Sequence, residues 1–216
     1  MDLTFAALQG EYEHLWTKVI APGGLTRPHE ARDEAAAITA PHAKTMFQLV
    51  EQRTGVPWFV TGIIITREAG SPPNFHAWLH NGDPMFDHDG RSRQTVHVPA
   101  KRPPNPRVSW EDGAVDAYAI EGLIHRNDWS PALVAWVLEK FNGWGYRLYH
   151  GIPSPYVWGA TVVQERGKYT ADRVFDKTVM DTQIGGMALL AALMQIDQSV
   201  RFTTATESFE KPSGVA

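Results

Sequence analysis

Eight consecutive residues, Trp58-Phe-Val-Thr-Gly-Ile-Ile-Ile65, carry no charge and are almost wholly apolar. Whatever this chain folds into must enclose them. Periodicity alone does not separate a buried strand from a buried helix in so short a run. A helix is expected, because Pro57 suits a first helical turn and extension to Glu68 gives about three turns, a common helix length. The run delivers one acid, Glu68, and then passes into a polar, turn-rich segment carrying Asp83, Asp87, Asp89 and Thr95. A carboxyl group at the end of an apolar segment is in the setting that raises its pKa, since burial disfavours the charged form. Further carboxylates on a solvated ribbon stay ionised. Two carboxyl groups in unlike environments are the arrangement that cleaves glycosidic bonds. The competing reading of Glu68 is a surface acid paired with Arg67 or Arg53.

The rest of the chain must supply the enclosure without covalent help. There is no cysteine, so disulfides, thiol nucleophiles and Cys-ligated zinc are excluded together. At 216 residues and 43% apolar content the chain can bury one substantial core, and a single domain over 1–200 is expected, with a flexible tail over 201–216. A formal net charge of −4 gives no global attraction to nucleic acid or to anionic membranes. The N-terminal residues lack a basic region followed by a long apolar stretch, and no window approaches a membrane span. No signal peptide and no membrane insertion are therefore expected, which leaves a cytoplasmic protein awaiting release to the cell wall, or one exported by a route not visible in the sequence.

Helical periodicity marks most of the chain. Residues 3–20 repeat apolar positions at Phe5, Leu8, Tyr12, Leu15 or Trp16, and Val19. A second helical region covers about 29–54, interrupted at Pro41, with Met46, Phe47 and Val50 facing inward and Gly55 as its stop. Ser109-Trp-Glu-Asp112 matches a capping box that opens a helix over 110–125, with Val115, Tyr118, Ala119, Gly122 and Leu123 on its inner face. Ser130-Pro131 opens a helix over 131–142, on which Val134, Val137, Leu138 and Phe141 form the stripe. The last helix is expected over 180–197, packing on Ile184, Met187, Ala188 and Ala191. Between residues 70 and 106 the texture changes to Gly, Pro, Asn and Asp, with strands expected at 76–80 and 94–98. Residues 144–178 are expected to be mostly irregular. The sum is an α+β, mainly helical domain with one small β element.

Several blocks together resemble a lysozyme-like family found in phages and Gram-negative bacteria: Thr66-Arg-Glu-Ala with Asn74-Phe75, Leu79-His-Asn-Gly-Asp-Pro84, Thr95-Val-His-Val-Pro99, Trp110-Glu-Asp-Gly-Ala-Val-Asp116, Phe141-Asn-Gly-Trp-Gly-Tyr146, Ser154-Pro-Tyr-Val-Trp158 and Gly167-Lys-Tyr169. The resemblance spans roughly residues 55–190. It implies a lysozyme-like fold with a β-hairpin beside the active-site cleft, peptidoglycan glycan strands as substrate, and Glu68 as the catalytic acid of a muramidase of endolysin type. It further implies Asn142 and Tyr146 as cleft residues. In inverting enzymes of lysozyme type, an Asp and a Thr or Ser on the hairpin hold the attacking water, which makes Asp83 and Thr95 the candidates here. One departure is Ala69-Gly-Ser-Pro-Pro73, where the family's helix runs on; the loop after the acid is expected to be reshaped.

Each assignment has a plainer rival. Asn81-Gly-Asp-Pro84 is itself a turn, whose Asp side chain can cap local backbone N–H groups. If no ribbon residue holds water, a single acid describes a lytic transglycosylase, and a chitosanase-like enzyme is a further alternative on the same fold. An inactive sugar-binding or phage structural module is the reading of another class. His76, His80, His88 and His97 lack a metal-binding spacing, so no metal or cofactor is expected, and His80 is read as a substrate contact. Tyr156 joins Tyr146 as a polar-tipped aromatic suited to a sugar groove, while a packed aromatic patch is the alternative. Pro99–Arg107, with three cations and no acid, is either a rigid connector or a contact for anionic stem peptides. No nucleic-acid partner and a monomer are expected.

Overall fold

A computed structural model describes residues 1–171 and 173–203. The segment expected to be a flexible tail lies outside the described residues from 204 onward. The apolar run is a helix, α4 (Trp58–Ala69), in which every residue from Trp58 to Thr66 is buried. The helices around it are α1 (Phe5–Ile20), α2 (Pro28–Ile38), α3 (Pro41–Thr54), α5 (Trp110–Ile120), α6 (Pro131–Asn142), the short α7 (Pro155–Trp158) and α8 (Gly186–Ile196), with a π-helical turn at Tyr146–His150. An antiparallel pair of strands, β1 (Lys168–Ala171) and β2 (Val174–Asp176), completes the described architecture. The chain is thus mainly helical with one small sheet.

Close approach to α4 depends on residues without side chains. A Cβ at Gly62 would lie 2.4 Å from the Ile38 side chain and 3.0 Å from Phe47, so α2 and α3 close on α4 at this point. A Cβ at Gly186 would meet Leu138 at 2.5 Å and Ile63 at 3.0 Å, which brings α8 against α6 and α4. Interiors packed at crystal-like density leave no room for such additions. The buried Tyr118 hydroxyl donates to Thr61 Oγ1 at 2.9 Å and ties α5 to α4. The residues of α4 to α8 and α1 to α3 share one hydrophobic cluster, from Leu8 to Val200.

Most helix expectations hold, with differences that have local causes. The helical region after Pro28 breaks at Pro41 as its ring requires. The capping box at Ser109 and Asp112 forms in both directions. Helix α5 ends at Ile120 rather than 125, and its buried face is Trp110, Gly113, Ala114, Ala117 and Tyr118. That face is rotated from the expected one because the Trp78 ring lies against Gly113, where a Cβ would come within 2.3 Å. The last helix begins at Gly186, six residues later than expected.

The β element is not where periodicity placed it. Residues 76–80 and 94–98 form no strand; the ribbon carries only isolated bridges, Ala77 to Pro84 and Phe86 to Ser92. Its N–H groups are answered by side chains and by loop closures. Thr95 N donates to Arg102 O at 2.7 Å and Lys101 N to Thr95 O at 2.8 Å, a closed loop with no neighbouring strand among the described residues. The sheet lies instead in the segment expected to be irregular, with Tyr169 opposite Phe175 in its register.

Candidate active site

The last turn of α4 leaves the core. Arg67, Glu68 and Ala69 are half-buried, and Gly70 ends the helix with φ 89°, a conformation that favours glycine. Glu68 enters a cleft of about 460 Å³ lined also by Asn81, Asn142, Tyr146, Tyr169 and Gln183. Its far wall is built by the chain from α6 to α8. Tyr156 presents its phenol from α7 and donates to Glu68 Oε1 at 2.7 Å. Burial holds the Tyr156 phenol well above its ordinary value, so it stays protonated and donates. The Arg67 guanidinium lies over the Tyr156 ring at 4.7 Å and is anchored to Ile184 O at 2.7 Å and Gln183 Oε1 at 3.1 Å.

Burial pushes the Glu68 carboxyl up to about 7, against the opposing Tyr156 hydrogen bond and Arg67 charge. At neutral pH such a group keeps a proton to donate. Because the Tyr156 bond favours the charged form, Tyr156→Phe should raise the Glu68 pKa further. The basic limb of the pH–activity profile should then move upward; an unmoved limb would mean that Glu68 does not set it.

The ribbon supports Glu68 from behind. Gly82 adopts φ 73° with its Cα so close that a Cβ would sit 2.2 Å from the Glu68 carbonyl oxygen. Asn81 and His80 thereby reach the cleft wall. The His80 ring is buried; its Nε2 bonds Asp116 Oδ2 at 2.8 Å, and Arg102 donates to both oxygens of that same Asp116. Burial pulls the imidazole below its ordinary value. Its Nδ1 has no partner among the described residues. Arg102 is therefore a tie between ribbon and α5, and Gln94 Nε2 reaches the carbonyls of Lys101, Pro103 and Pro104, so the cationic segment is a cross-linked connector.

Asp83 and Thr95 do not line the cleft. The Asp83 carboxylate, only 5% exposed, accepts from Val96 N at 2.7 Å, His97 N at 2.9 Å and His97 Nδ1 at 2.6 Å. Although burial opposes it, those bonds hold the carboxyl below its ordinary value. The Thr95 hydroxyl donates to Pro99 O at 2.5 Å and accepts from Arg102 N at 2.9 Å. Both side chains are consumed in closing the loop; the Asp83 carboxylate caps backbone N–H groups, though ones 13 and 14 residues away rather than those of its own Asn-Gly-Asp-Pro turn. Asp83→Asn should accordingly lower thermal stability, by about 1.5–3 kcal/mol for lost hydrogen bonds to a charged acceptor, as measured by denaturation at pH 7. An unchanged midpoint with lost activity would return Asp83 to the chemistry. Asp87 is bound to its own turn through Asp89 N and Arg91 N.

The cleft holds another carboxylate that sequence reasoning passed over. Asp181, 6% exposed, accepts from Lys168 Nζ at 3.2 Å and Gln183 N at 2.9 Å, and lines the same cleft as Glu68. No motif flags it: it lies in a coil between β2 and α8 and is brought across by folding alone. Of the other expected residues, Asn142 donates to Ser154 Oγ at 2.9 Å, and Tyr146 accepts from Tyr169 N at 3.2 Å; both line the cleft with Tyr156. His76 packs on Phe86 and His97 on Asp83, and no group of three metal-ligating side chains occurs among the described residues. No helix among them is long and apolar enough to cross a membrane.

Compared with known proteins, the chain matches no family model, no curated protein and no solved structure.

Proposed function

We propose that the protein is a glycoside hydrolase of lysozyme-like type that cleaves the β-1,4 bond between N-acetylmuramic acid and N-acetylglucosamine in peptidoglycan. The observation that carries this reading is the contrast between two acids in one cleft. Glu68 is desolvated, bonded to a protonated phenol and raised to about 7, whereas Asp181 is paired with Lys168. Two carboxyl groups in such unlike surroundings, one bonded to a phenol and one beside an ammonium, divide naturally into acid and base. Glu68 protonates the leaving oxygen, and Asp181 replaces Asp83 as the carboxylate that takes the proton of the attacking water or faces the developing positive charge. Tyr146, Tyr156 and Tyr169 supply aromatic surface, and Asn81, Asn142 and Gln183 supply amide groups, which together suit an N-acetylated sugar chain.

A second reading has a specific support: Asp83 and Thr95 are both engaged in the loop and leave water-holding to other residues. A lytic transglycosylase needs no water, since the muramyl C6 hydroxyl attacks in its place. Mass analysis of muropeptides released from purified peptidoglycan separates the two. Reducing ends with a strong loss in Asp181→Asn support the hydrolase; anhydro ends with activity retained in Asp181→Asn support the transglycosylase. Release of chitosan fragments but no muropeptides would move the substrate to another amino sugar. The absence of any release would leave a sugar-binding or structural module.

A further inference from the structure

Tyr169 has two sides. One lines the cleft with Glu68 and Asp181; the other lines a separate groove of about 600 Å³ with Tyr149, His150, Ala171, Arg173 and Phe175. The aromatic rings between the two are locked together. His150 stacks on Phe175 at 3.5 Å between centroids and 8° between planes, and its Nε2 bonds the Tyr169 hydroxyl at 2.9 Å. Tyr169 meets Tyr146 edge-on at 5.1 Å and Phe175 at 5.3 Å. Gly167 permits this packing, since a Cβ there would meet the Phe175 ring at 2.5 Å. Against this rigid wall Tyr149 stands 77% exposed, an aromatic face that the fold does not use. Of the exposed cations along the same hairpin, Arg173 lines this groove and Arg166 and Lys177 line a neighbouring one; the acids of this stretch are Glu165, Asp176 and, in the sequence, Asp172.

We propose that this outer groove is a second saccharide-binding site, which holds the anionic glycan strand beyond the bond being cut. The inference rests on the muramidase reading of the cleft. An exposed tyrosine beside a stacked His–Phe pair offers flat apolar faces to the C–H surfaces of pyranose rings at small entropic cost. Arg173, which lines the groove, fits the carboxylates of stem peptides carried by alternate sugars. Continuity through Tyr169 makes a single strand the natural occupant. A single-stranded nucleic acid, which also stacks on aromatics, needs a broader basic surface than a chain of net charge −4 with hairpin acids provides.

Binding of the Glu68→Gln protein to purified insoluble peptidoglycan, measured by co-sedimentation at 150 mM salt, tests this. Adding Tyr149→Ala or Arg173→Gln should each weaken binding, Tyr149→Ala by about tenfold, with the unfolding midpoint unchanged; Leu49→Ala, on the exposed face of α3, should bind as the parent does. Equal binding by the parent and both groove variants would overturn the proposal, as would a parent that does not bind. A loss confined to a single-stranded oligonucleotide probe, with peptidoglycan binding intact, would also overturn it and identify the other ligand class. The cleft is tested separately by muropeptide release from the unsubstituted protein. Tyr149-dependent binding without release keeps the groove and rejects the catalysis, and release without Tyr149-dependent binding does the reverse.

Discussion

Glu68→Gln should abolish muropeptide release, with kcat falling by about 10²–10⁴-fold, the contribution of a positioned general acid. The amide keeps the size of the side chain and a partner for Tyr156, so the substrate should still bind. Activity unchanged by the substitution would sink the proposed chemistry. The same variant carries a stability signature. In the unfolded chain the carboxyl titrates near 4.5, and in the fold at about 7. The fold therefore binds the proton more tightly, and stability contributed by the neutral acid is lost as pH rises from about 4.5 through 7. The displacement corresponds to roughly 3 kcal/mol, reduced to about 2 kcal/mol because Glu68 is partly open to solvent. Glu68→Gln lacks this loss. Wild type and variant should differ least near pH 4.5, and the variant should be the more stable by about 2 kcal/mol above pH 7. For the wild type, kcat/KM should fall above about pH 7 as the acid loses its proton.

Arg147→Met should destabilise the protein by about 3–5 kcal/mol, equivalent to a fall of roughly 10 °C in Tm. Glu139 on α6 is fully buried, and its carboxylate accepts from Arg147 Nε at 3.0 Å and from the Tyr12 hydroxyl at 2.5 Å. Arg147, from the π-helical turn, also donates to both oxygens of Glu11 on α1. Removing the guanidinium leaves Glu139 as an uncompensated charge in an apolar interior. That cost exceeds what the intact pair contributes, so Arg147→Met/Glu139→Gln should recover more than half of the loss. A single variant as stable as wild type would show that this network does not hold the fold together. The turn that carries Arg147 also carries Tyr146 and His150, so the network sets the position of the aromatic wall between cleft and groove.

The ordering of these effects follows from what each residue contacts, and it explains how far the sequence could be read. Helices α1, α3, α6 and α8 bury most of the periodic residues that the sequence marks, with Phe5, Met46 and Phe141 half-buried against the core, because one apolar stripe at helical spacing has one favourable orientation toward a core. Helix α4 and the emergence of Glu68 at its end were legible for the same reason: eight uncharged residues admit no exposed face. The capping box at Ser109 is a contact over three residues, so local sequence determines it. Asn142 and Tyr146 were found in the sequence by resemblance and Tyr156 as a polar-tipped aromatic, and all three line the cleft.

What the sequence did not determine depends on partners far along the chain. The Thr95-Val-His-Val98 alternation looks like a strand, yet no partner strand reaches it among the described residues, and the Asp83 carboxylate answers two of its N–H groups from 13 and 14 residues away. A carboxylate in a turn has the same sequence appearance whether it holds water or closes a loop. Only the tertiary structure shows that the Asp83 carboxylate closes a loop here. Strands β1 and β2 are too short to show a period, and the aromatic packing of Tyr169 and Phe175 on Tyr146 and His150 creates them. Asp181 reaches the cleft through Lys168 and the backbone before α8, a juxtaposition with no local signature. Sequence by itself thus determined the buried helix and the acid it presents, because burial of a uniform apolar run is a local necessity. The second carboxylate, the fate of the ribbon and the aromatic wall were decided by tertiary structure, because each hydrogen bond or ring contact that defines them joins segments whose proximity exists only once the core has formed.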